Sequence, residues 1–373
     1  MNAKFVLTQE ESQDLARRYG TPLMVVSRKK LEERYKCLQH YLPRVKIFYA
    51  MKANPSEVIV QHLAKLGSCF DVASAGEINQ LASYGIKGDR MLYANPVKSR
   101  KALRTARDYQ VSRMTYDSEA EIDKIKDEYP GATVLLRVQV SNPSAMVDLN
   151  TKFGAAPEKA VELLKKAKQS GLDVAGVSFH VGSQSISPEG YRNAIALCAG
   201  IFADAAEEGV LLKVLDIGGG FPIPQKGAFP DLPGMLQAVN NSLEEHFPDT
   251  EIWAEPGRFL CGESANIIAS IIGVSERSGK PFYTLDEGTY GSFSAKFFDH
   301  WDFEPITFRE GEKTDAILAG PSCDSLDILF SSYPLPAMQM DDLLLFTECG
   351  AYTYASSSTF NGFERIKVIM LED

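Results

Sequence analysis

A regular alternation of short apolar segments and longer amphipathic segments, from about residue 22 to residue 260, constrains the fold most strongly. The apolar segments are "PLMVVS", "KIFYAM", "SCFDVAS", "RMLYANP", "SRMTYD", "TVLLRVQV", "VAGVSFHVG", "KVLDIGGG" and "EIWAEPGR". Stretches with helical spacing, such as "APEKAVELLKKAKQSG", lie between them. This alternation predicts right-handed βαβ units and a parallel sheet. Eight or nine units favour a closed β/α barrel of the (β/α)8 type, which we place at residues 22–262.

The pattern changes after about residue 262. Segments such as "SANIIASIIGVSERSGKPFYTLDEG" and "DDLLLFTECGAYTYAS" are rich in strand-forming residues and turns. They predict a second, mostly antiparallel β domain over residues 263–373. We expect residues 1–21 to join this domain, because they precede the first predicted barrel strand.

Composition excludes several classes of protein. The chain is 45% hydrophobic and 24% charged, as is typical of globular enzymes. Its formal net charge of −10 argues against a nucleic-acid or anionic-membrane partner. It contains no apolar run of about 18 residues and no apolar signal-peptide core. The six cysteines form no CxxC pair, which predicts reduced thiols and a cytoplasmic protein.

Chemically informative residues follow several of the predicted strands: Lys52, Ser74, His180, Gly218 and Glu255. In a β/α barrel these positions lie at the C-terminal face, where active sites are built. Lys52, in "FYAMKANP", is either a strand-end lysine that reaches solvent or a functional amine.

Two strand ends indicate a phosphate site. "LDIGGGFP" (215–222) is either a tight turn or a nest of backbone N–H groups, and it matches neither a Walker A loop nor a Rossmann fingerprint. In "EPGR", Arg258 can bind a phosphate through its forked guanidinium, or form a surface ion pair instead. Glu255 of the same motif can hold a ring nitrogen protonated.

His180 and Cys323 each have a structural alternative. His180, in "FHVGSQ", is either a buried core histidine or a flat ring placed against a flat cofactor. Cys323, in "GPSCDSLD", is either a small buried hydrophobe or an exposed thiol on a loop. The remaining histidines form no metal-ligand spacing, so no metal is expected. A lysine, a phosphate cradle, a histidine and a carboxylate together meet the needs of pyridoxal 5'-phosphate.

Ten motifs, in order, resemble those of the group IV basic amino-acid decarboxylases, the ornithine decarboxylase family with an alanine-racemase-type barrel. They are "FYAMKANP", "FDVASAGEI", "KFG", "SFHVGSQ", "LDIGGGFP", "EPGR", "YGSF", "GPSCDSLD", "GAYT" and "FNGF". The resemblance covers residues 20–365. The segments "YANPVK", "VDLNTKFGA" and "DHW" are similar to those of the bacterial lysine/ornithine decarboxylases.

The resemblance implies a role for each matching residue. Lys52 would bind the cofactor aldehyde, His180 would stack on its ring and Glu255 would pair with its ring nitrogen. Cys323 would act as the catalytic thiol, supplied by the neighbouring subunit of a homodimer. The remaining cofactor-binding positions implied are Asp71, Arg137, Ser183, Gly219, Gly220, Arg258 and Tyr352. Glu77 would support them, and Lys152 and Asp327 would form an ion pair between subunits.

The resemblance also implies a substrate. In "YGSFSAKFFDHW", Asp299 would face the distal amine of the substrate, with Asp324 of the other subunit as a second partner and Tyr290 nearby. We therefore expect decarboxylation of L-lysine and L-ornithine to cadaverine and putrescine. Alternatives are a diaminopimelate or arginine decarboxylase, an amino-acid racemase, or a non-catalytic regulator on the same fold. Glu255 and Cys323 argue against the racemase, and the presence of both Lys52 and Cys323 argues against the regulator.

Overall fold

The computed structural model describes residues 4–142, 152–225, 230–299 and 301–372. The strands in these ranges are β1 (Leu23–Ser27), β2 (Val45–Ala50), β3 (Cys69–Val72), β4 (Met91–Tyr93), β5 (Arg113–Tyr116), β6 (Thr133–Arg137), β7 (Asp173–Ser178), β8 (Val214–Asp216), β9 (Glu251–Ala254), β10 (Ala265–Arg277), β11 (Lys280–Leu285), β12 (Pro305–Thr307), β13 (Thr314–Ala319), β14 (Ile328–Leu335), β15 (Leu343–Phe346) and β16 (Lys367–Leu371). The helices are α1 (Gln9–Tyr19), α2 (Arg28–Tyr41), α3 (Glu57–Lys65), α4 (Ala75–Ser83), α5 (Arg100–Asp108), α6 (Glu119–Glu128), α7 (Ala160–Gln169), α8 (Glu189–Glu207), α9 (Leu232–His246), α10 (Arg258–Cys261) and α11 (Ala295–Phe298).

The chain forms two compact units. The barrel unit comprises Arg34–Lys52 and Val60–Phe259. The sheet unit comprises Met1–Glu33, Ala53–Ile59 and Leu260–Asp373. Among the described residues, none of the helices has the length and apolar character needed to cross a membrane.

In the barrel unit, strands β2 to β9 form a closed parallel barrel in chain order. The register Val45↔Ile252 between β2 and β9 closes it. Its interior is apolar: Phe48 and Leu135 are fully buried, and the rings of Phe48 and Trp253 lie 4.9 Å apart between centroids. The predicted barrel is confirmed. Since all its strands are parallel, their C-terminal ends meet at one edge.

The sheet unit is mostly antiparallel, as predicted. Its strand order is β12-β15-β10-β11-β13-β14, and the β11–β13 pair is parallel. Strand β1 joins the same sheet, antiparallel to β10 and parallel to β16. Leu7 and Leu15 pack with Val25, Ile268 and Leu345 in the core of this unit.

The position of β1 differs from the sequence-based expectation, which puts residues 22–27 in the barrel. The structure pairs Leu23 with Ile268 and Lys367 in the sheet unit instead. All five residues of β1 are buried. A strand buried on both faces has no period-two pattern to show which sheet it joins, so chain order alone suggested the barrel.

Glu287, which follows β11, is a buried carboxyl group with local hydrogen bonds. Its Oε1 accepts the backbone N–H groups of Gly288 at 2.9 Å and Ser292 at 3.1 Å. Its Oε2 lies 3.0 Å from the Ser292 hydroxyl. Burial raises the pKa of Glu287 to about 7, although these hydrogen bonds oppose the rise.

We predict that Glu287→Gln removes a pH dependence of stability. The folded chain keeps a proton that the unfolded chain releases between pH 4.5 and about 7, so the free energy of unfolding falls as the pH rises through this window. Glutamine mimics the protonated acid, so the variant should match the wild type at pH 4.5 and exceed it at pH 8 by on the order of 2 kcal/mol. Urea unfolding at both pH values measures this. Glu310→Gln, at an exposed position, is the control; an equal effect of the two substitutions would contradict the prediction.

Candidate active site

Lys52 lies just beyond β2 and contacts a buried carboxylate. Its Nζ donates to Oδ2 of Asp71, on β3, at 2.6 Å. The Asp71 side chain is 1% exposed, whereas that of Lys52 is 43% exposed. The second oxygen of Asp71, Oδ1, is buried without a hydrogen-bond partner among the described residues. The amine is thus held at the barrel edge by a fixed negative charge and remains accessible.

The N-terminus of α4 adds a second carboxyl group beside this pair. Ser74 caps the helix by accepting the N–H of Glu77. Glu77 Oε2 accepts the N–H of Ala73 at 2.6 Å. Burial raises the pKa of Glu77 to about 7, and the charge of Asp71 contributes in the same direction. Glu77 therefore carries a proton for part of the time at neutral pH.

His180 follows β7 and is a neutral ring. Its Nδ1 accepts the N–H of Gly182 at 2.9 Å. Burial lowers the pKa of His180 well below its ordinary value, and the positive charges of Arg137 and Lys52 lower it further. A Cβ added to Gly219 would lie 3.1 Å from Nε2 of His180, so the ring lies against the glycine loop.

In the glycine loop that follows β8, the backbone carbonyl oxygens accept hydrogen bonds from other residues of the protein. The carbonyl of Gly218 accepts the N–H of Glu255 at 2.8 Å, and that of Gly219 accepts the Tyr191 hydroxyl at 2.9 Å. The carbonyl of Gly220 accepts the N–H of Ser185 at 2.9 Å.

The N–H groups of Gly219 and Gly220, in contrast to these carbonyl oxygens, have no hydrogen-bond partner in the described part of the chain. Gly220 has φ of +103°, and a Cβ there would lie 2.3 Å from the carbonyl oxygen of Gly182. Backbone N–H groups without a protein partner suit an anion such as a phosphate.

Glu255, which follows β9, lies beside Asp216 at the end of β8. Both carboxyl groups are buried. Burial raises the pKa of Glu255 well above its ordinary value, and the neighbouring charges of Asp216 and Asp71 raise it further. Burial also raises the pKa of Asp216, to about 6, although the hydrogen bond with Glu255 opposes the rise. The protonated form is therefore favoured more strongly at Glu255 than in an ordinary glutamate.

The remaining predicted barrel residues lie at strand ends or on short segments. Arg137 ends β6 and lies over the ring of Phe153, 5.1 Å from its centroid. Arg258 begins α10 and is 6% exposed, and Ser183 is half-buried three residues beyond His180.

The barrel unit thus brings Lys52, Asp71, His180 and Glu255 together, since the charge of Lys52 acts on both His180 and Glu255. Sequence reasoning missed Asp216. The sequence feature that could have indicated Asp216 is a carboxylate inside the apolar run "KVLDIGGG", because a buried charge requires a partner.

In the sheet unit, Tyr290, Asp324 and Cys323 form a second group. The Tyr290 hydroxyl donates to Oδ2 of Asp324, and this hydrogen bond holds the pKa of Asp324 below its usual range. The ring of Tyr290 stacks on Phe360 at 4.4 Å between centroids. Cys323 is exposed, and its backbone N–H donates to Asn361 Oδ1 at 3.0 Å. This group presents a thiol, an aromatic stack and a carboxylate on one surface.

Three other predicted residues of the sheet unit have different settings. Asp299 caps α11 at its C-terminus and is 8% exposed. Tyr352 has a positive φ of 56°, and its N–H donates to Ala53 at 2.8 Å. Asp327 is 2% exposed and accepts hydrogen bonds from Thr289 and Ser322. Its predicted pairing with Lys152 of another subunit stays a prediction.

Parts of two motif segments lie outside the described residues. They are residues 147–151 of "VDLNTKFGA" and His300 of "DHW".

The arrangement in the barrel unit fits pyridoxal 5'-phosphate. An accessible amine, backbone N–H groups without a protein partner in the described residues and a buried carboxyl with a raised pKa match the aldehyde, the phosphate and the ring nitrogen of that cofactor.

Comparison with known proteins agrees with this fit. The model for the pyridoxal binding domain of pyridoxal-dependent decarboxylases matches residues 28–262. The lysine/ornithine decarboxylase of Selenomonas ruminantium is 47% identical over 370 residues, which is 99% of this chain and 94% of that protein. This chain belongs to the pyridoxal-dependent decarboxylase family, and the resemblance of its motifs is confirmed. The cofactor of the family is pyridoxal 5'-phosphate.

Solved structures give the same result. The crystal structure of SrLDC in complex with PLP and cadaverine matches with a TM-score of 0.94 and 45% identity, covering 100% of this chain and 96% of that one. The lysine/ornithine decarboxylase from Vibrio vulnificus complexed with cadaverine matches with a TM-score of 0.92 and 33% identity, covering 99% and 100%.

We predict that Gly220→Ala weakens binding of pyridoxal phosphate by roughly tenfold or more, because the added Cβ collides with the Gly182 carbonyl and tilts the loop N–H groups. Gly209→Ala is the matched control: φ is +76° there, but no atom lies within 4 Å of the added Cβ. Gly209→Ala should lose on the order of 1 kcal/mol of stability from the positive φ, and Gly220→Ala should lose more because of the collision. Equilibrium dialysis against the cofactor measures the difference, and equal affinity of the two variants would refute the prediction.

Proposed function

We propose that this protein decarboxylates L-lysine and L-ornithine, releasing carbon dioxide and forming cadaverine and putrescine. The observation that carries the proposal is the contact between the accessible Lys52 amine and buried Asp71, at a barrel edge that also holds the glycine loop and Glu255. When bound, pyridoxal phosphate supplies an electron sink for the electron pair that remains on Cα after carbon dioxide leaves.

In this proposal, residues of the barrel unit bind and orient the cofactor. Lys52 Nζ forms the covalent attachment, and Asp71 holds the amine at the site before attachment. The N–H groups of Gly219 and Gly220 would bind the phosphate, with Ser183 and Arg258 as further ligands. Neutral His180 contacts the ring without adding a positive charge, which agrees with its lowered pKa.

Glu255 supplies the proton that the electron sink needs. Burial and the neighbouring carboxylates raise the pKa of this carboxyl, which favours its protonated form. Glu255 would share this proton with the ring nitrogen of the bound cofactor and would form a buried ion pair with it. Such a pair acts mainly when negative charge develops on the ring, so it favours the transition state over the ground state.

Cys323 and Asp324 complete the site from the sheet unit of a second subunit. We propose a homodimer in which Sγ–H of Cys323 returns a proton to Cα. Asp324 is a carboxylate at neutral pH because Tyr290 donates a hydrogen bond to it, and a carboxylate suits the distal ammonium of lysine or ornithine. The six cysteines of this chain, all in its described part, are thiols rather than disulfides, which supports a reducing compartment such as the cytoplasm.

A substrate panel tests the proposal directly. Purified protein with pyridoxal phosphate is assayed for carbon dioxide release from lysine, ornithine, arginine and diaminopimelate. We expect turnover of lysine and ornithine and poor turnover of the other two. A preference for diaminopimelate would contradict the substrate assignment, and a bound-cofactor absorbance band without turnover of any of the four would contradict the decarboxylase activity.

The shared site predicts complementation between two inactive variants. Lys52→Ala abolishes activity, and Cys323→Ala lowers kcat by roughly 10²-fold or more, because it removes the acid that protonates Cα. After subunit exchange, a mixed dimer holds one site with both residues intact, so the mixture should recover about a quarter of wild-type activity. Lys52→Ala mixed with the double variant Lys52→Ala/Cys323→Ala is the control and should stay inactive. A mixture as inactive as its parents would exclude a site shared in this way.

We predict that Asp299→Ala raises KM for lysine and ornithine by roughly 10- to 100-fold, the range for loss of a charged hydrogen bond, with little change in cofactor affinity. Asp302→Ala, an exposed position in the same segment, is the matched control. Steady-state kinetics with both substrates measures the effect. Unchanged KM in Asp299→Ala would exclude this residue from substrate binding.

A further inference from the structure

Lys98, in the loop between β4 and α5, is a buried cation that the proposed mechanism does not use. Its side chain is 0% exposed. Nζ donates to the carbonyl oxygens of Thr115 at 2.6 Å, Asn95 at 3.1 Å and Pro96 at 3.2 Å, and lies 3.0 Å from Glu121 Oε1. The ammonium therefore ties three segments together: its own loop, the end of β5 and helix α6.

The charged groups around Lys98 come from two neighbouring elements. Glu121 and Lys124 belong to α6, and Glu121 Oε2 pairs with Lys124 at 2.7 Å. Asp117, which follows β5, also acts on Lys98, and the ring of Tyr93 lies 5.6 Å away. Burial lowers the pKa of Lys98 to about 8, while Glu121 opposes this change.

Hydrogen bonds lead from the Lys98 loop to the candidate active site. Asn95 Nδ2 donates to the carbonyl of Ala73 at 3.1 Å. The N–H of Ala73 donates to Glu77 Oε2 at 2.6 Å. Ala73 comes directly after β3, two residues beyond Asp71. Lys98 holds the carbonyl of Asn95 while the side chain of Asn95 holds Ala73, so the end of β3 is fixed from the neighbouring loop.

We propose that Lys98 and Glu121 are positioning residues for the Asp71–Lys52 contact and act through Asn95 and Ala73. Loss of the ammonium frees the Asn95 backbone, the side chain of Asn95 shifts, and the end of β3 no longer holds Asp71 against Lys52. The consequence for catalysis rests on the role of Lys52 in the proposed function, but the coupling itself is a property of the protein without cofactor.

The test measures the reactivity of Lys52 in the protein free of cofactor. Reductive methylation at pH 8 is followed by mass spectrometry of the Lys52 peptide, with the exposed Lys213 as internal reference. An amine paired with a carboxylate is held protonated and is protected from this reagent, so Lys98→Met should accelerate methylation of Lys52 roughly threefold or more. Asn95→Ala should do the same, since it removes the donor to Ala73 and leaves Lys98 and Glu121 in place.

Lys30→Met is the matched control. Lys30 is a buried lysine of the sheet unit that lies 4.0 Å from Glu263. It should leave Lys52 reactivity unchanged. Circular dichroism melting shows which variants fold. If Lys98→Met does not fold, the result for Asn95→Ala decides the outcome.

Wild-type reactivity of Lys52 in folded Asn95→Ala would overturn the proposal, and so would equal acceleration by Lys30→Met. Failure of the proposed function would appear separately, as wild-type protein that releases no carbon dioxide from lysine or ornithine.

Discussion

Closure of the barrel is the constraint on which the candidate active site depends. The first and last barrel strands, β2 and β9, pair directly, so the residues that follow them become neighbours. Lys52 follows the one and Glu255 follows the other, and the charge of Lys52 acts on Glu255 as a result. In an open sheet with the same strand order, these two strands would lie at opposite edges. Closure of the barrel thus brings motifs that are distant in the sequence together in one site.

The electrostatics of the barrel edge follow from an excess of buried acids over nearby cations. Asp71, Asp216 and Glu255 are all buried, and the positive charges that act on Asp216 and Glu255 come from Arg137 and Lys52, respectively. Because burial penalises an unpaired charge, the pKa values of Glu255 and Asp216 are both raised. Burial, and after it the same cations, lowers the pKa of His180. The site therefore combines an amine, an uncharged ring and carboxyl groups that favour their protonated form.

Much of the fold and of the site was predictable from the sequence, because both depend on patterns within short segments of the chain. Strand–helix alternation predicted the barrel, and Lys52, His180 and Glu255 were found because each follows an apolar segment. Asp216 was overlooked, since a carboxylate inside a strand gains meaning only when its neighbour is known to be Glu255. Strand β1 was misplaced because its burial on both faces hides its partners, which lie far along the chain in β10 and β16. Both errors concern contacts between residues far apart in the chain, and the pattern of a single segment carries no information on such contacts.

The glycine loop has a consequence for how such a protein changes over evolution. Its phosphate donors are main-chain N–H groups whose orientation is fixed by the engaged carbonyls of Gly218, Gly219 and Gly220. Substitutions elsewhere in the chain leave these donors chemically unaltered. The residues proposed to read the substrate, Asp299 and Asp324, are side chains, and a single nucleotide change replaces them. The phosphate contact is therefore less sensitive to side-chain replacement than the proposed substrate contacts are, so substrate choice can change while this part of the cofactor site is kept.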